Sequence, residues 1–101
     1  MKIVGVTKCP VGIAHTYLAA EKLEKAAKAL QYEVKIETQG AQGTENKLTP
    51  EDVASADYVI VAADVAIEGK ERFNGKKTLV LPIKDVIKDA SGVLQSLPTR
   101  A

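Results

Sequence analysis

Short apolar runs recur along the chain. The β-branched runs at 3–7 and 58–63 predict strands that are buried on both faces of a sheet. Residues 33–38 alternate polar with apolar side chains, which predicts a half-exposed edge strand. A further apolar run at 77–81 predicts a fourth strand.

Between these runs, apolar residues follow the 3.6-residue period of an amphipathic helix. One helix is predicted from residue 12 or 13 to about Leu30, with its apolar positions on a single side. Another is predicted to begin at Ile83, and the pair Ser91-Gly92 is expected to bend or shorten it.

Two shorter helices and one loop complete the predicted elements. Thr49 and Pro50 are the residue types favoured at an N-cap and at the first helical position, so a short helix is predicted to start there. A second short helix is predicted around 68–73. The segment 39–47 contains two glycines and has almost nothing to bury, so it is predicted to be a loop.

The order of these elements predicts the fold class. Strands that alternate with helices are joined by right-handed crossovers and form a parallel sheet. We therefore expect an α/β fold, a three-layer α/β/α sandwich with a four-stranded parallel sheet in the order 2-1-3-4, which is Rossmann-like. A length of 101 residues is typical of one compact domain, and no internal linker divides residues 1–101.

Composition excludes several classes of function. The chain is 46% apolar and 27% charged with a net charge of +1, which argues against nucleic-acid binding or attachment to a membrane surface. No apolar run approaches the ~20 residues that cross a bilayer, so we expect a cytoplasmic protein without membrane insertion. One cysteine and one histidine exclude an internal disulfide and a Cys/His metal cluster, and no metal or cofactor is expected.

The first strand-to-helix turn is the candidate site. In an open parallel sheet, ligands bind beyond the carboxyl ends of the strands where the strand order reverses, here above Thr7 and Asp64. A sulfur in this turn would face free backbone N–H groups and the positive end of a helix, a field that favours thiolate and binds anions. The turn thus combines a nucleophile with a cradle for a tetrahedral dianion. It reads Cys9-Pro10-Val11-Gly12-Ile13-Ala14-His15-Thr16.

Each candidate residue also has a structural interpretation. A lone cysteine is usually a small buried hydrophobe, but a position in a turn beside proline favours a functional role for Cys9. His15 fits a locally bonded helix residue as well as a site residue. Four further residues are candidates for the rim of the site because of their expected place at the carboxyl edge, although each fits an ordinary loop or capping role. They are Gln39, Gly40, Asn46 and Asp64.

Two mechanisms fit a nucleophilic cysteine in an anion-binding turn. Cysteine phosphatases carry Cys-x5-Arg-Ser/Thr, in which the arginine holds the phosphoryl group bidentately. Here His15 occupies the arginine position, so the turn favours a phosphoryl carrier, with a small cysteine-dependent phosphatase as the alternative. A regulatory module sensed through its phosphorylation state also stays open. A redox role is weaker without a second cysteine, and nucleotide-binding glycine motifs are missing.

The turn resembles the phosphorylation loop of the fructose-family IIB domains of the bacterial phosphoenolpyruvate-dependent sugar phosphotransferase system. That family typically reads C-P-T-G-I-A-H-T, and Val11 replaces the usual threonine, which removes one hydroxyl donor and leaves the backbone donors. The resemblance continues through 34–40, 46–49, 62–64 and 72–73 and covers nearly the whole chain.

This resemblance implies a phosphotransferase relay. A IIA partner carrying phosphohistidine would donate to Cys9, and the phosphocysteine would donate to a sugar, expected to be fructose, held by the membrane-embedded IIC partner. The resemblance also implies that backbone N–H groups from Val11 to Thr16 hold the phosphoryl oxygens. The protein would be monomeric when isolated and associated with the membrane through IIC. Separately from the resemblance, the predicted place of the 39–47 loop leads us to expect that it lines the docking rim.

Overall fold

The structure, a computed structural model, describes residues 1–9, 14–40 and 43–97. Within these ranges the chain forms five strands, three α-helices and one 3₁₀ helix. In chain order they are β1 (Lys2–Lys8), α1 (Ala14–Ala29), β2 (Glu33–Gly40), β3 (Gly43–Glu45), α2 (Pro50–Ser55), β4 (Tyr58–Ala63), the 3₁₀ helix (Lys70–Phe73), β5 (Thr78–Leu81) and α3 (Ile83–Gln95).

The strands form one mixed sheet in the order β3-β2-β1-β4-β5. β1 lies at the centre and pairs in parallel with both β2 and β4, and β5 extends the sheet in parallel beyond β4. β3 runs antiparallel to the end of β2. The α/β class is confirmed, and the four predicted strands are neighbours in the predicted order, as β2-β1-β4-β5.

The prediction of a four-stranded, fully parallel sheet is wrong in one respect, because the segment 39–47 is not a simple loop. Within it, β3 pairs with the end of β2 through Thr38 and Glu45 and through Gly40 and Gly43. All three residues of β3 are exposed, so this strand has no apolar pattern that sequence could reveal. β2 therefore has a strand on its outer side at its carboxyl end, and its residues from Ile36 to Gln39 are all buried.

Both faces of the sheet are covered. α1 and α3 pack on one face around a core that includes Ile3, Leu23, Ile60 and Leu94. α2 and the 3₁₀ helix pack on the other face, where Phe73 joins the second apolar cluster. Consecutive residues of a strand point to opposite faces, so both sets of positions in the central strands must be apolar. This confirms the predicted three-layer arrangement.

The predicted start of α2 is confirmed in detail. Thr49 is the N-cap, its side-chain oxygen accepts a hydrogen bond from the Asp52 N–H at 3.1 Å, and the Asp52 carboxylate accepts one from the Thr49 N–H at 3.0 Å. Pro50 is the first helical residue. The two hydrogen bonds form a reciprocal capping box, which is why a helix of only six residues is stable at this place.

α3 begins at Ile83 as predicted, but its bend lies earlier than expected. Asp89 has non-helical backbone angles (φ −157°, ψ 70°), and its carboxylate accepts a hydrogen bond from the Gly92 N–H at 3.0 Å. Asp89 therefore caps the second half of the helix. A Cβ at position 92 would lie too close to that carboxylate, so a larger residue there would require the Asp89 side chain to shift. Among the described residues, no helix is long and apolar enough to cross a membrane.

Candidate functional site

Cys9 lies at the carboxyl edge of the sheet, directly after β1. The preceding residue, Lys8, pairs with Gln39 of β2 on one side and with Ala63 of β4 on the other. Asp64 follows Ala63 and thus comes to the same edge beside Cys9. The cysteine side chain is half-buried, and its Sγ lies 4.0 Å from Oδ2 of Asp64.

Asp64 connects three elements at this edge. Its backbone N–H donates to the carbonyl oxygen of Lys8 at 3.2 Å, and its Oδ1 accepts from the Ile83 N–H at 3.3 Å. The carboxylate thus caps the start of α3 while its other oxygen is oriented toward the sulfur. The Cys9 thiol donates a long, weak hydrogen bond to that second oxygen.

The start of α1 is tied to β1 beside the cysteine. The Thr7 hydroxyl donates to the carbonyl oxygen of Thr16 at 3.0 Å, and both residues are fully buried. The Thr16 hydroxyl oxygen has no hydrogen-bond partner among the residues that the structure describes. His15 is exposed. Ala14 is the first residue of α1, so the amino end of this helix faces the same edge as Cys9.

Four members of the predicted phosphoryl-binding loop, Pro10, Val11, Gly12 and Ile13, lie outside the described residues. Their contacts with a phosphoryl group, like those of Ala14, His15 and Thr16, stay predictions.

The other three predicted rim residues, like Asp64, have roles within the fold. Gly40 ends β2. Asn46 is exposed, adopts a left-handed backbone (φ 55°), and donates from its side-chain amide to the carbonyl oxygen of Ile36 at 3.0 Å. Asparagine is one of the few residues that adopt this conformation readily, so Asn46 fits a turn residue. Gln39 is only 5% exposed and lies inside the protein rather than on a docking rim.

Sequence analysis missed a buried ion pair close to this edge. The carboxylate of Glu37 is 1% exposed and accepts two hydrogen bonds from the guanidinium of Arg72, at 2.7 Å on Oε1 and 2.6 Å on Oε2. It also accepts from the Leu48 N–H at 2.9 Å and from Nε2 of Gln39 at 2.8 Å. The alternation in β2 assigned Glu37 to solvent, and the one available signal was the Arg72-Phe73 match, which carried no assigned role.

The electrostatics of this pair follow from its contacts. Burial alone would raise the pKa of Glu37, but the hydrogen bonds from Arg72, Gln39 and the Leu48 N–H outweigh burial and hold the pKa below its usual value. The carboxylate is therefore charged at neutral pH and binds three separate parts of the chain together. Within the described part of the chain, no group of three or more His, Cys, Asp or Glu side chains is arranged to hold a metal ion.

Comparisons with known proteins agree on similarity to IIB components of the PTS system, while the sugars that they name differ. A family model described as "PTS system, Lactose/Cellobiose specific IIB subunit" matches residues 4–96. The chain is 54% identical over 96 residues to the PTS system fructose-like EIIB component 2 of Escherichia coli, covering 95% of this chain and 91% of that protein. It is 44% identical to the fructose-like PTS system EIIBC component of Escherichia coli, covering 100% of this chain and 21% of that longer protein.

A solved structure has the same fold. A domain from the fructose-specific IIABC component of the PTS system of Borrelia burgdorferi superposes with a TM-score of 0.94 at 41% identity, covering 99% of this chain and 95% of that domain.

Proposed function

Since the chain belongs to the IIB family of the sugar phosphotransferase system, we propose that it is a phosphoryl carrier whose acceptor atom is the sulfur of Cys9. One observation carries the proposal: the side chain of Cys9 is partly accessible at the carboxyl edge of the sheet, beside the amino end of α1. Backbone N–H groups at a helix start bind phosphate oxygens, and the helix dipole favours the added charge.

The first half-reaction is transfer from a IIA partner. Sγ of Cys9 attacks phosphorus, the phosphorus–nitrogen bond of the phosphohistidine breaks, and the thiol proton passes to the departing imidazole nitrogen. No oxidant or metal is required. Such transfer depends chiefly on positioning and on stabilising charge, which the expected backbone donors between Val11 and Thr16 would supply.

The second half-reaction is transfer to a sugar. A sugar hydroxyl attacks phosphorus, the sulfur–phosphorus bond breaks with its electron pair on sulfur, and the hydroxyl proton passes to solvent or to the departing thiolate, which restores the thiol. We propose that the sugar is held by a membrane-embedded IIC partner, and the fused EIIBC relative supports association with such a partner. The names of the relatives favour fructose or a similar hexose. The carrier would act on the cytoplasmic side, where both partners can reach it.

A cysteine phosphatase is the second candidate, since it needs the same nucleophile. A phosphatase would need a guanidinium over the phosphoryl group, but position 15 is an exposed histidine. Arg72, which lies near the carboxyl edge, is engaged bidentately by the buried Glu37 carboxylate. These contacts favour a slow hydrolysis of phosphocysteine, which is what a carrier requires.

Intact-mass analysis tests the acceptor. The protein is incubated with phosphoenolpyruvate, the general phosphotransfer proteins and a fructose-family IIA. We expect one added phosphoryl group, absent from Cys9→Ser and from wild type alkylated beforehand, since Cys9 is the sole cysteine. An adduct that survives in Cys9→Ser, or rapid turnover of an aryl phosphate by the isolated protein, would contradict the carrier proposal.

A further inference from the structure

We propose that Gln39 is a positioning residue for Cys9: its carboxamide holds the backbone of Glu68 and so fixes the segment 64–68, which carries Asp64 against the cysteine sulfur. The proposal rests on the proposed function in that Cys9 is taken as the reacting residue. It assigns Gln39 an internal role in place of the docking role expected from sequence.

The clamp consists of two hydrogen bonds to one residue. Nε2 of Gln39 donates to the Glu68 carbonyl oxygen at 3.0 Å, and Oε1 accepts from the Glu68 N–H at 2.9 Å. The side chain thereby pairs with Glu68 as a neighbouring strand would. Because Gln39 is 5% exposed, water has little access to compete for these bonds.

The neighbouring ion pair fixes the orientation of the clamp. The second hydrogen of Nε2 points to Oε2 of Glu37, 2.8 Å away. A flipped amide would place its oxygen against that carboxylate and against the Glu68 carbonyl, which are both acceptors, so only one orientation is favourable. Arg72 in turn holds the Glu37 carboxylate through two hydrogen bonds, one to each oxygen. The Glu37–Arg72 ion pair therefore fixes the orientation of the Gln39 amide.

The segment from Asp64 to Glu68 is held at its two ends. At the first end, Asp64 bonds to Lys8 through its N–H and to the Ile83 N–H through its carboxylate. At the other end, Glu68 is held by its two hydrogen bonds to the Gln39 side chain. Between them, Val65 and Ala66 are exposed, and Ile67 is only partly buried against the core. The placement of Asp64 beside Sγ thus depends on the clamp as well as on its own hydrogen bonds.

The position of Asp64 should affect the rate at which the Cys9 sulfur reacts. The carboxylate of Asp64, whose Oδ2 lies 4.0 Å from Sγ, accepts a hydrogen bond from the thiol and repels the negative charge that develops on sulfur as it attacks a reagent. In water, repulsion between two unit charges at this distance changes a rate by at most about fivefold. Releasing the segment leaves the carboxylate freer to move away from the sulfur, so Cys9 should react faster with an alkylating reagent.

The experiment measures alkylation of Cys9 by iodoacetamide at pH 7 and low ionic strength. We expect Gln39→Met, which keeps the side-chain length and removes both bonds to Glu68 as well as the bond to Glu37, to react faster than wild type by up to about fivefold. Gln95→Met is the matched control, because that exposed amide on α3 bonds Ser91; its rate should equal that of wild type. Melting temperatures are measured in parallel, and rates are compared well below them.

A double-variant cycle separates positioning from general loosening. Asp64→Asn removes the charge, so it should accelerate alkylation by itself, and adding Gln39→Met to it should give no further acceleration. An equal acceleration in both backgrounds, or none in wild type, would overturn the proposal. If Gln39→Met does not fold, Gln39→Asn, whose amide is one methylene too short to reach Glu68, decides by the same criteria.

These measurements need no partner protein. Suppose that IIA fails to phosphorylate wild type but Gln39→Met gives no further acceleration in the Asp64→Asn background; the positioning role then stands and the carrier proposal fails. If IIA phosphorylates wild type but the two substitutions act independently on alkylation, the carrier proposal stands and the positioning role fails.

Discussion

Replacing Arg72 by methionine tests how strongly the buried ion pair holds the protein together. Methionine keeps much of the aliphatic stem and removes the guanidinium, which donates both short hydrogen bonds to Glu37. The Glu37 carboxylate, 1% exposed, then keeps only the donors from Gln39 and the Leu48 N–H. Removing one partner of a buried pair leaves an uncompensated charge, which is the main source of the expected cost.

The size of the effect follows from burial. Breaking a buried pair costs about 3–5 kcal/mol, and the side chain of Arg72 is 21% exposed, which places this pair near 3 kcal/mol. For a domain of this length, each kcal/mol lowers the melting temperature by about 4–8 °C, so a decrease of roughly 12–24 °C is expected. The matched control is Lys25→Met, which removes an exposed i,i+4 pair with Glu21 and should leave the melting temperature nearly unchanged.

The pH dependence provides a second signature. In wild type the pKa of Glu37 is held below its usual value, so this pair's contribution is present above about pH 4.3 and is lost as pH falls through the folded-state pKa. Without Arg72, burial dominates and the pKa of Glu37 rises. The variant can then relieve the buried charge by taking up a proton, and its deficit should shrink between pH 7 and pH 5.

Urea denaturation at both pH values measures these differences, with melting curves as a second readout. A deficit below about 1 kcal/mol at pH 7 would mean that the pair behaves like an exposed salt bridge and would refute the reasoning. A deficit of the expected size that does not change with pH would also refute it, because the cost would then come from lost packing rather than from the uncompensated carboxylate.

Two other substitutions give sharp outcomes. Asp64→Asn keeps an oxygen acceptor for the Ile83 N–H and removes the charge beside Cys9. A phosphoryl dianion on the sulfur would lie roughly 6 Å from the Asp64 carboxylate of wild type and be repelled by it. Without that repulsion, the equilibrium for transfer from IIA should shift toward Cys9 by about tenfold. Intact mass at equilibrium measures the shift, which should shrink at 1 M salt, and an unchanged equilibrium at low salt would contradict it. Gly5→Ala would place a Cβ 2.9 Å from Cδ1 of Ile36 and 3.1 Å from the Ile60 carbonyl oxygen, so it should cost about 1–3 kcal/mol in urea denaturation. Adding Ile36→Val removes Cδ1 and should recover part of that cost; no recovery would mean that Ile36 is not the obstacle.

Local sequence patterns were sufficient wherever a segment's own residues supply the driving force. The central strands could be predicted because apolar residues must line both faces of a covered sheet. The start of α2 could be predicted because Thr49 and Pro50 act on the first turn that they precede. The place of Cys9 at a strand end before a helix followed from the same local logic, and the role of the turn came from family resemblance.

The position of the bend in α3 needed the structure. Sequence pointed to Ser91-Gly92 because glycine weakens a helix, but the backbone departs from helical geometry at Asp89. The Asp89 carboxylate accepts from the Gly92 N–H, so Gly92 lies in the first turn after the cap and is not the bend itself. The hydrogen bond from the Gly92 N–H to the Asp89 carboxylate explains why Asp89, and not Gly92, has the non-helical backbone angles.

The sequence by itself determined the order of the elements, the two-sided core and the placement of Cys9, because these depend on apolar periodicity and on neighbouring residues. Only the tertiary structure decided the existence of β3, whose exposed residues pair with the end of β2. It also decided that Glu37 and Gln39 are internal. Their polar side chains indicate a solvent-facing strand until Arg72, 35 positions away in sequence, folds over the carboxylate and supplies the charge that allows its burial.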